Sequence, residues 1–211
     1  MDSERTERTE GGEKQEKRSR LLDFYALLHD LVYILAAIVL VFVFCVRLVG
    51  VNGESMLPTL RHGDYLALQS NVIMGDLKYG DIIVARKLSF EDGEPIVKRV
   101  IATEGQTVNI REENGVIAVY VDGVRLDEPY INEPMQFISY AQLYGPEGYT
   151  LTVDEDCVFV MGDNRNHSSD SRVASIGEIK LDQVLGKVLL IVFPGREDNG
   201  SRDFGRMGAV S

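Results

Sequence analysis

Cysteine and histidine are scarce in this 211-residue sequence, which contains two cysteines and three histidines. Cys45 lies in an apolar segment and Cys157 lies far downstream, so we expect no disulfide between them. His29, His62 and His167 are scattered along the chain, and no spacing typical of metal ligands occurs. The sequence therefore predicts neither a metal site nor a cofactor.

Basic residues are also in the minority. The chain has 22 Lys and Arg residues against 33 Asp and Glu residues, which gives a net charge of −11. Because phosphate binding depends on clustered Lys and Arg, this balance argues against nucleic acid as the main partner. The length suits one domain of ordinary size and a membrane anchor.

The most distinctive segment is an apolar run at residues 31–49 with a single charge, Arg47, near its end. As a helix this run would span about 28 Å, close to the thickness of a bilayer core, and Arg47 can reach the interface. A buried core helix is usually shorter than this run. A cleaved signal peptide would end in a small-x-small site, which residues 47–50 match poorly. The run predicts one uncleaved transmembrane helix at residues 29–49.

Basic residues indicate the orientation of this helix, because they mark the cytoplasmic side of a membrane protein. We therefore expect a single-pass protein of the cell membrane with a cytoplasmic, largely disordered tail at 1–28. Residues 50–195 are expected to form an extracytoplasmic domain, and the apolar-poor residues 196–211 a flexible tail. Four basic residues precede the span: Lys14, Lys17, Arg18 and Arg20.

The expected extracytoplasmic domain has the pattern of a mostly β fold. Short runs rich in Val and Ile at 82–85, 157–161 and 184–193 predict buried strands. The pairs Asn114-Gly115 and Asp122-Gly123 follow such runs and predict hairpin turns. The apolar and aromatic residues 137–144 are predicted to belong to the core rather than to touch a membrane.

Four short motifs carry the chemistry. They read GESMLPTL at 53–60, GDIIV at 80–84, IVKRV at 96–100 and GDNRNHSSDSR at 162–172. Taken singly, each has an ordinary structural explanation: a turn, a strand entry, a lysine on the solvent face of a strand and a polar loop. Eleven polar or small residues after a buried strand also suggest a hydrogen-bonded platform.

In this order after a membrane span, the four motifs resemble those of bacterial signal peptidase I, of the single-span type. That family consists of membrane-bound serine proteases with a β-rich fold. The resemblance implies that Ser55 is the nucleophile and Lys98 the general base. It also implies that Ser168 orients the lysine amine. Two supporting ion pairs are implied as well: Asp170 with Arg172, and Asp163 with Arg99.

This chemistry requires a lysine that is neutral, because a charged ammonium cannot accept the proton of a serine hydroxyl. Burial in apolar surroundings disfavours the charged form, and Met56, Ile96 and Val97 are expected to provide that burial. The backbone N–H of Ser55 is the expected oxyanion donor. Some relatives have a serine as a second donor two residues before the nucleophile, where this chain has Gly53.

The resemblance also implies the substrates and partners. They are signal peptides of exported preproteins, cut after small residues at positions −1 and −3, together with membrane lipid and the protein-export machinery. An extended peptide would add as a strand near residues 96–98, with its −1 and −3 side chains pointing into the protein. The predicted pocket walls are Val51, Met56, Leu60, Ile96 and Val97.

Two other interpretations remain open at this stage. A related Ser-Lys autoprotease of the LexA type also uses a β-rich domain, but it would be cytosolic. A membrane-anchored, non-enzymatic β-domain that binds a partner would have no need of Ser55 together with Lys98. Cleavage of a preprotein by the wild-type protein, compared with Ser55→Ala, separates this second interpretation from an enzyme.

Overall fold

A computed structural model describes residues 22–40, 46–90, 93–136, 148–197 and 200–210. The chain divides into two units, Met1–Phe44 and Cys45–Ser211. The predictions for residues 1–21 and for the core segment 137–144 lie outside the described residues.

The described part of the first unit is a single helix, α1 (Leu22–Leu40). It is long and apolar enough to cross a membrane, and its side chains are exposed, as expected of an anchor. Its bounds differ from the predicted 29–49, because Val46–Gly50 form a strand, β1, that pairs antiparallel with β2 (Tyr65–Ser70). A continuous apolar run does not distinguish helix from strand, and here the hydrogen bonds to β2 decide for strand.

The second unit is mostly β, as predicted. Its described strands form an eight-stranded antiparallel sheet in the order β1-β2-β11-β3-β4-β9-β10, with β12 also paired to β11. The remaining bounds in this sheet are β3 (Ile82–Arg86), β4 (Pro95–Thr103), β9 (Cys157–Met161), β10 (Ile179–Lys180), β11 (Val184–Phe193) and β12 (Gly208–Ala209). The three runs predicted as buried strands are therefore β3, β9 and β11.

A second, four-stranded antiparallel sheet has the order β7-β6-β5-β8. Both predicted hairpin turns are confirmed. Asn114 and Gly115 join β5 to β6, and Asp122 and Gly123 join β6 to β7, with positive φ at all four residues. The strands are β5 (Thr107–Glu113), β6 (Val116–Val121), β7 (Val124–Arg125) and β8 (Tyr149–Thr152).

The central strands of the large sheet are buried on both faces, which explains their continuous apolar sequences. In β3, Ile82 and Val84 pack in one core cluster, whereas Ile83 and Ala85 pack in another. All five residues of β9 are buried. Since β4 lies between β3 and β9, polar side chains on β4 are held in a rigid, largely dry environment.

The prediction of a flexible tail at 196–211 is corrected, because described residues near the chain end make specific contacts with the large sheet and with Asp64. β12 pairs with β11, and Val210 packs against an apolar cluster of the large sheet. Arg206 forms an ion pair with Asp64, whose side chain is fully buried. The apolar-poor composition of this segment does not predict its order, because charged and backbone contacts hold it in place.

Candidate active site

Ser55 lies on a loop, residues 51–64, that we call the serine loop. Two backbone hydrogen bonds close its ends: Val51 N donates to Asp64 O at 2.8 Å, and Gly63 N donates to Val51 O at 2.9 Å. Met56 and Leu60 are buried in the core and anchor the middle of the loop. These contacts hold the surface loop, and with it Ser55, in a fixed position.

Lys98 comes from β4, in the centre of the large sheet, and only 5% of it is exposed. The alternative of a lysine on the solvent face is therefore wrong. Its Nζ donates to Ser55 Oγ at 2.7 Å and to Val97 O at 3.0 Å. The structure thus brings the two predicted dyad residues, 43 positions apart in sequence, within hydrogen-bond distance.

The loop that follows β9 packs directly against the serine loop. Asn164 N donates to Ser55 O at 3.0 Å, and Asn164 Nδ2 donates to Glu54 O at 3.1 Å. At Gly162 an added Cβ would lie 2.4 Å from Ser55 O and 2.3 Å from Ser168 Oγ. Only glycine permits this close approach, which explains the residue type at the start of the fourth motif.

Asp170 and Arg172 form a buried ion pair in the same loop. Arg172 Nε donates to Asp170 Oδ1 at 2.8 Å and Nη2 donates to Oδ2 at 2.9 Å. Burial alone would raise the pKa of the Asp170 carboxyl. The charge and hydrogen bonds of Arg172, together with the Gly162 N–H, outweigh this effect and hold the pKa below its ordinary value.

Arg99 and Asp163 form a second buried pair beside the lysine. Arg99 Nε and Nη2 donate to the two oxygens of Asp163, each at 2.8 Å. Thr59 Oγ1 of the serine loop donates to Asp163 Oδ2 at 2.5 Å. This pair therefore links β4, the loop after β9 and the serine loop.

Ser168 is placed next to these groups but does not contact the lysine through a hydrogen bond. Its Oγ is buried beside Gly162 and has no hydrogen-bond partner of regular geometry within the described ranges. Its role in orienting Lys98 stays a prediction.

A third buried ion pair, between Arg165 and Glu128, was not predicted from the sequence. Two guanidinium nitrogens donate to the two carboxylate oxygens at 2.9 and 2.7 Å. The Tyr130 ring stacks under Arg99, 4.0 Å from its guanidinium carbon. Burial, followed by the charge of Glu128, raises the pKa of Tyr130. Arg165 stands in the fourth motif, but Glu128 and Tyr130 belong to no motif that could have revealed them.

The dyad opens into a cleft of about 380 Å³ lined on one side by residues 49–53 and on the other by residues 94–98. Four of the five predicted pocket residues line it: Val51, Met56, Ile96 and Val97. The prediction for Leu60 is corrected, because its side chain is fully buried in the core and is not among the residues that line the cleft.

Gly53 has a positive φ of 94°, a conformation that favours glycine at this position. Its N–H donates to His62 Nδ1 at 3.3 Å. Gly53 thus supplies no side-chain donor to an oxyanion, and its amide is already engaged. The Ser55 N–H stays the predicted donor.

Comparison with known proteins establishes the family of this chain. The profile of the family described as Signal peptidase, peptidase S26, matches residues 25–193. The chain belongs to the signal peptidase I family of serine peptidases. As a signal peptidase, it acts on signal peptides. One N-terminal apolar helix is consistent with a membrane anchor.

Relatives in this family match most of the chain. Signal peptidase I of Bacillus amyloliquefaciens is 32% identical over 193 residues, which cover 88% of this chain and 95% of that protein. A protein of Synechocystis sp. named Probable signal peptidase I-1 is 38% identical and covers 68% and 69%. A crystal structure of signal peptidase I from Enterococcus faecalis is 29% identical and covers 54% of this chain and 97% of its own, with a TM-score of 0.42.

Proposed function

We propose that this signal peptidase cleaves preproteins through a Ser55–Lys98 dyad and an acyl-enzyme. The observation that carries this proposal is the 2.7 Å contact between Lys98 Nζ and Ser55 Oγ at a nearly buried lysine. A serine hydroxyl becomes a useful nucleophile when a positioned base takes its proton. The buried pair Arg99–Asp163 links β4 to the serine loop through Thr59. The buried pair Asp170–Arg172 holds the loop after β9, which packs on the serine loop.

The proposed steps use the two side chains of the dyad and one backbone N–H. Neutral Lys98 accepts the Ser55 proton while Ser55 Oγ attacks the scissile carbonyl, and the Ser55 N–H stabilises the oxyanion. The lysine then gives its proton to the leaving amine, which departs as the new N-terminus of the mature protein and leaves an ester on Ser55. Lys98 next takes a proton from the water that attacks the ester. It returns this proton to Ser55 Oγ as the acyl–Oγ bond breaks, which releases the signal peptide and restores the serine and the neutral lysine.

The proposed substrate position is the side of β4 that lines the cleft. Residues 95–97 pair with β3 on their other side, and the described pairing of β4 with β9 starts at Arg99. An extended peptide can lie as a strand beside this part of β4, in the cleft. Its −1 and −3 side chains then share one face and point toward the bulky walls Val51, Met56 and Ile96.

The first test is cleavage of a preprotein by the detergent-solubilised full chain, with sequencing of the new N-terminus. In a peptide series varied one position at a time, we expect Ala, Gly or Ser at −1 and −3 to be cut. Leu or Phe there should lower kcat/KM about tenfold or more, because overpacking the cleft costs about 1–3 kcal/mol. Variation at −2 is the control and should matter little. Efficient cutting after Leu or Phe at −1 would contradict the extended binding mode.

Activity is expected to depend on pH through the dyad. Lys98 acts only as the neutral amine, so kcat/KM should rise with pH through its pKa in the free enzyme and reach an optimum on the alkaline side. Initial rates on one peptide between pH 6 and pH 10, with unfolding checked at each end, measure this rise. A steady fall from pH 6 to pH 9 would indicate a different base.

We further propose that α1 anchors the enzyme in the cell membrane with the N-terminus cytoplasmic and the catalytic domain outside. Four basic residues precede the helix, which favours a cytoplasmic N-terminus, and we propose membrane lipid and the protein-export machinery as partners of the anchored enzyme. In intact spheroplasts, added protease should degrade the catalytic domain and spare an N-terminal tag. A protected catalytic domain would reverse the proposed orientation.

A further inference from the structure

The end of the chain lies beyond residues 25–193, the part that matches the family profile, yet it packs on the serine loop. Arg206 stands in a short 3-10 helix (Phe204–Arg206) just before β12. Its Nη1 donates to Asp64 Oδ1 at 3.0 Å, and its Nη2 donates to Asp64 Oδ2 at 2.8 Å. Nη2 also donates to Thr59 O at 3.2 Å. One guanidinium thus contacts the serine loop at two positions.

Asp64 is the residue that closes the serine loop. Its carboxylate is fully buried and accepts hydrogen bonds from Arg61 N at 2.8 Å and Gly195 N at 2.7 Å. Its backbone carbonyl accepts the hydrogen bond from Val51 N. A group that holds Asp64 therefore fixes both ends of the loop that carries Ser55.

Thr59 continues this set of contacts toward the lysine. Its carbonyl accepts from Arg206, and its hydroxyl donates to Asp163. Asp163 in turn pairs with Arg99, the residue after Lys98 on β4. Arg206 thus contacts the residue that closes the serine loop, Asp64. Through Thr59 it is also connected to β4, the strand that carries Lys98.

We propose that Arg206 is a positioning residue for catalysis: its guanidinium holds the serine loop so that Ser55 Oγ stays in register with Lys98 Nζ. The proposal rests on the dyad function. The planar guanidinium is essential to this role, because a compact lysine ammonium cannot hold both Asp64 oxygens and the Thr59 carbonyl at once. Among the described residues, the hydrogen bonds of Arg206 go to Asp64 and Thr59, neither of which lines the cleft, so substrate binding should be largely independent of it.

The test is steady-state kinetics on one peptide with Arg206→Ala and Arg206→Lys in the full chain. We expect kcat of Arg206→Ala to fall about 10- to 100-fold with KM little changed, since small misplacement of reacting groups lowers rates by such factors. Arg206→Lys keeps the charge opposite buried Asp64 and should fold, with an intermediate kcat. Guanidinium at concentrations far below denaturing should restore part of kcat in Arg206→Ala and leave the wild type unchanged.

Arg202 provides the matched control from the same segment. It donates to Pro194 O and lies 4.6 Å from the centre of the Phe193 ring, and these contacts are outside the serine loop. Arg202→Ala should keep the wild-type kcat.

A wild-type kcat in Arg206→Lys would overturn the proposal. So would a fall of kcat in Arg202→Ala as large as that in Arg206→Ala, or an effect of Arg206→Ala on KM alone. If Arg206→Ala does not fold, Arg206→Lys decides. Ser55→Ala in the same assay separates the two proposals. An active Ser55→Ala contradicts the dyad, whereas an inactive Ser55→Ala beside fully active Arg206 variants contradicts only the positioning role.

Discussion

Replacement of Lys98 by alanine is expected to lower kcat about 10²–10⁴-fold, the usual contribution of a positioned general base. Ser55→Ala should reduce cleavage to background, because Lys98 Nζ then has no hydroxyl at 2.7 Å to activate. Lys98→Arg should also fail, since a guanidinium stays protonated at any pH at which the protein is folded. Cleavage of a preprotein on gels and initial rates on a peptide measure all three.

The control for these variants is an exposed lysine. Lys180 lies at the end of β10, and Lys180→Ala and Lys180→Arg should both cleave like the wild type. Thermal unfolding of each variant shows that lost activity is not lost structure. Substantial cleavage by Lys98→Arg or Ser55→Ala would show that another residue performs the chemistry.

Asp170→Asn is expected to lower the free energy of unfolding by about 3–5 kcal/mol, the cost of leaving a buried charge without its partner. The change keeps the size of the side chain but removes the charge that faces Arg172, which has no exposed side-chain surface. Chemical unfolding of the two full-length proteins in detergent, followed by fluorescence or circular dichroism, gives the difference. Asp182→Asn, on an exposed carboxylate, is the control and should change little.

The pH dependence of this difference tests its cause. The pKa of Asp170 is lower in the folded protein than in the unfolded chain, so its stabilisation is fully present above the unfolded pKa. It is lost as the pH falls through the folded pKa. The difference in the free energy of unfolding between wild type and Asp170→Asn should therefore be largest near neutral pH and decrease in acid. A gap that does not depend on pH would mean that packing, and not charge, is responsible.

Much of the fold could be predicted because local patterns and tertiary structure agree. The runs that became β3 and β9 are apolar at successive positions, which suits strands that are buried on both faces. The hairpins at Asn114-Gly115 and Asp122-Gly123 follow from residues that tolerate positive φ. By contrast, the helix bounds and the C-terminal tail were wrong, because strand pairing with β2 and ion pairing with Asp64 are long-range contacts that composition does not record.

Residues close together in the chain are sufficient to predict the family, the mostly β domain, an apolar helix and the candidates Ser55 and Lys98. The folded structure was needed to see that these two side chains meet at 2.7 Å, that Leu60 lies in the core and that Glu128 neutralises Arg165. It alone connected Arg206 to the serine loop. Such contacts join residues up to 147 positions apart, and burial and hydrogen bonding, which select them, are properties of the folded chain.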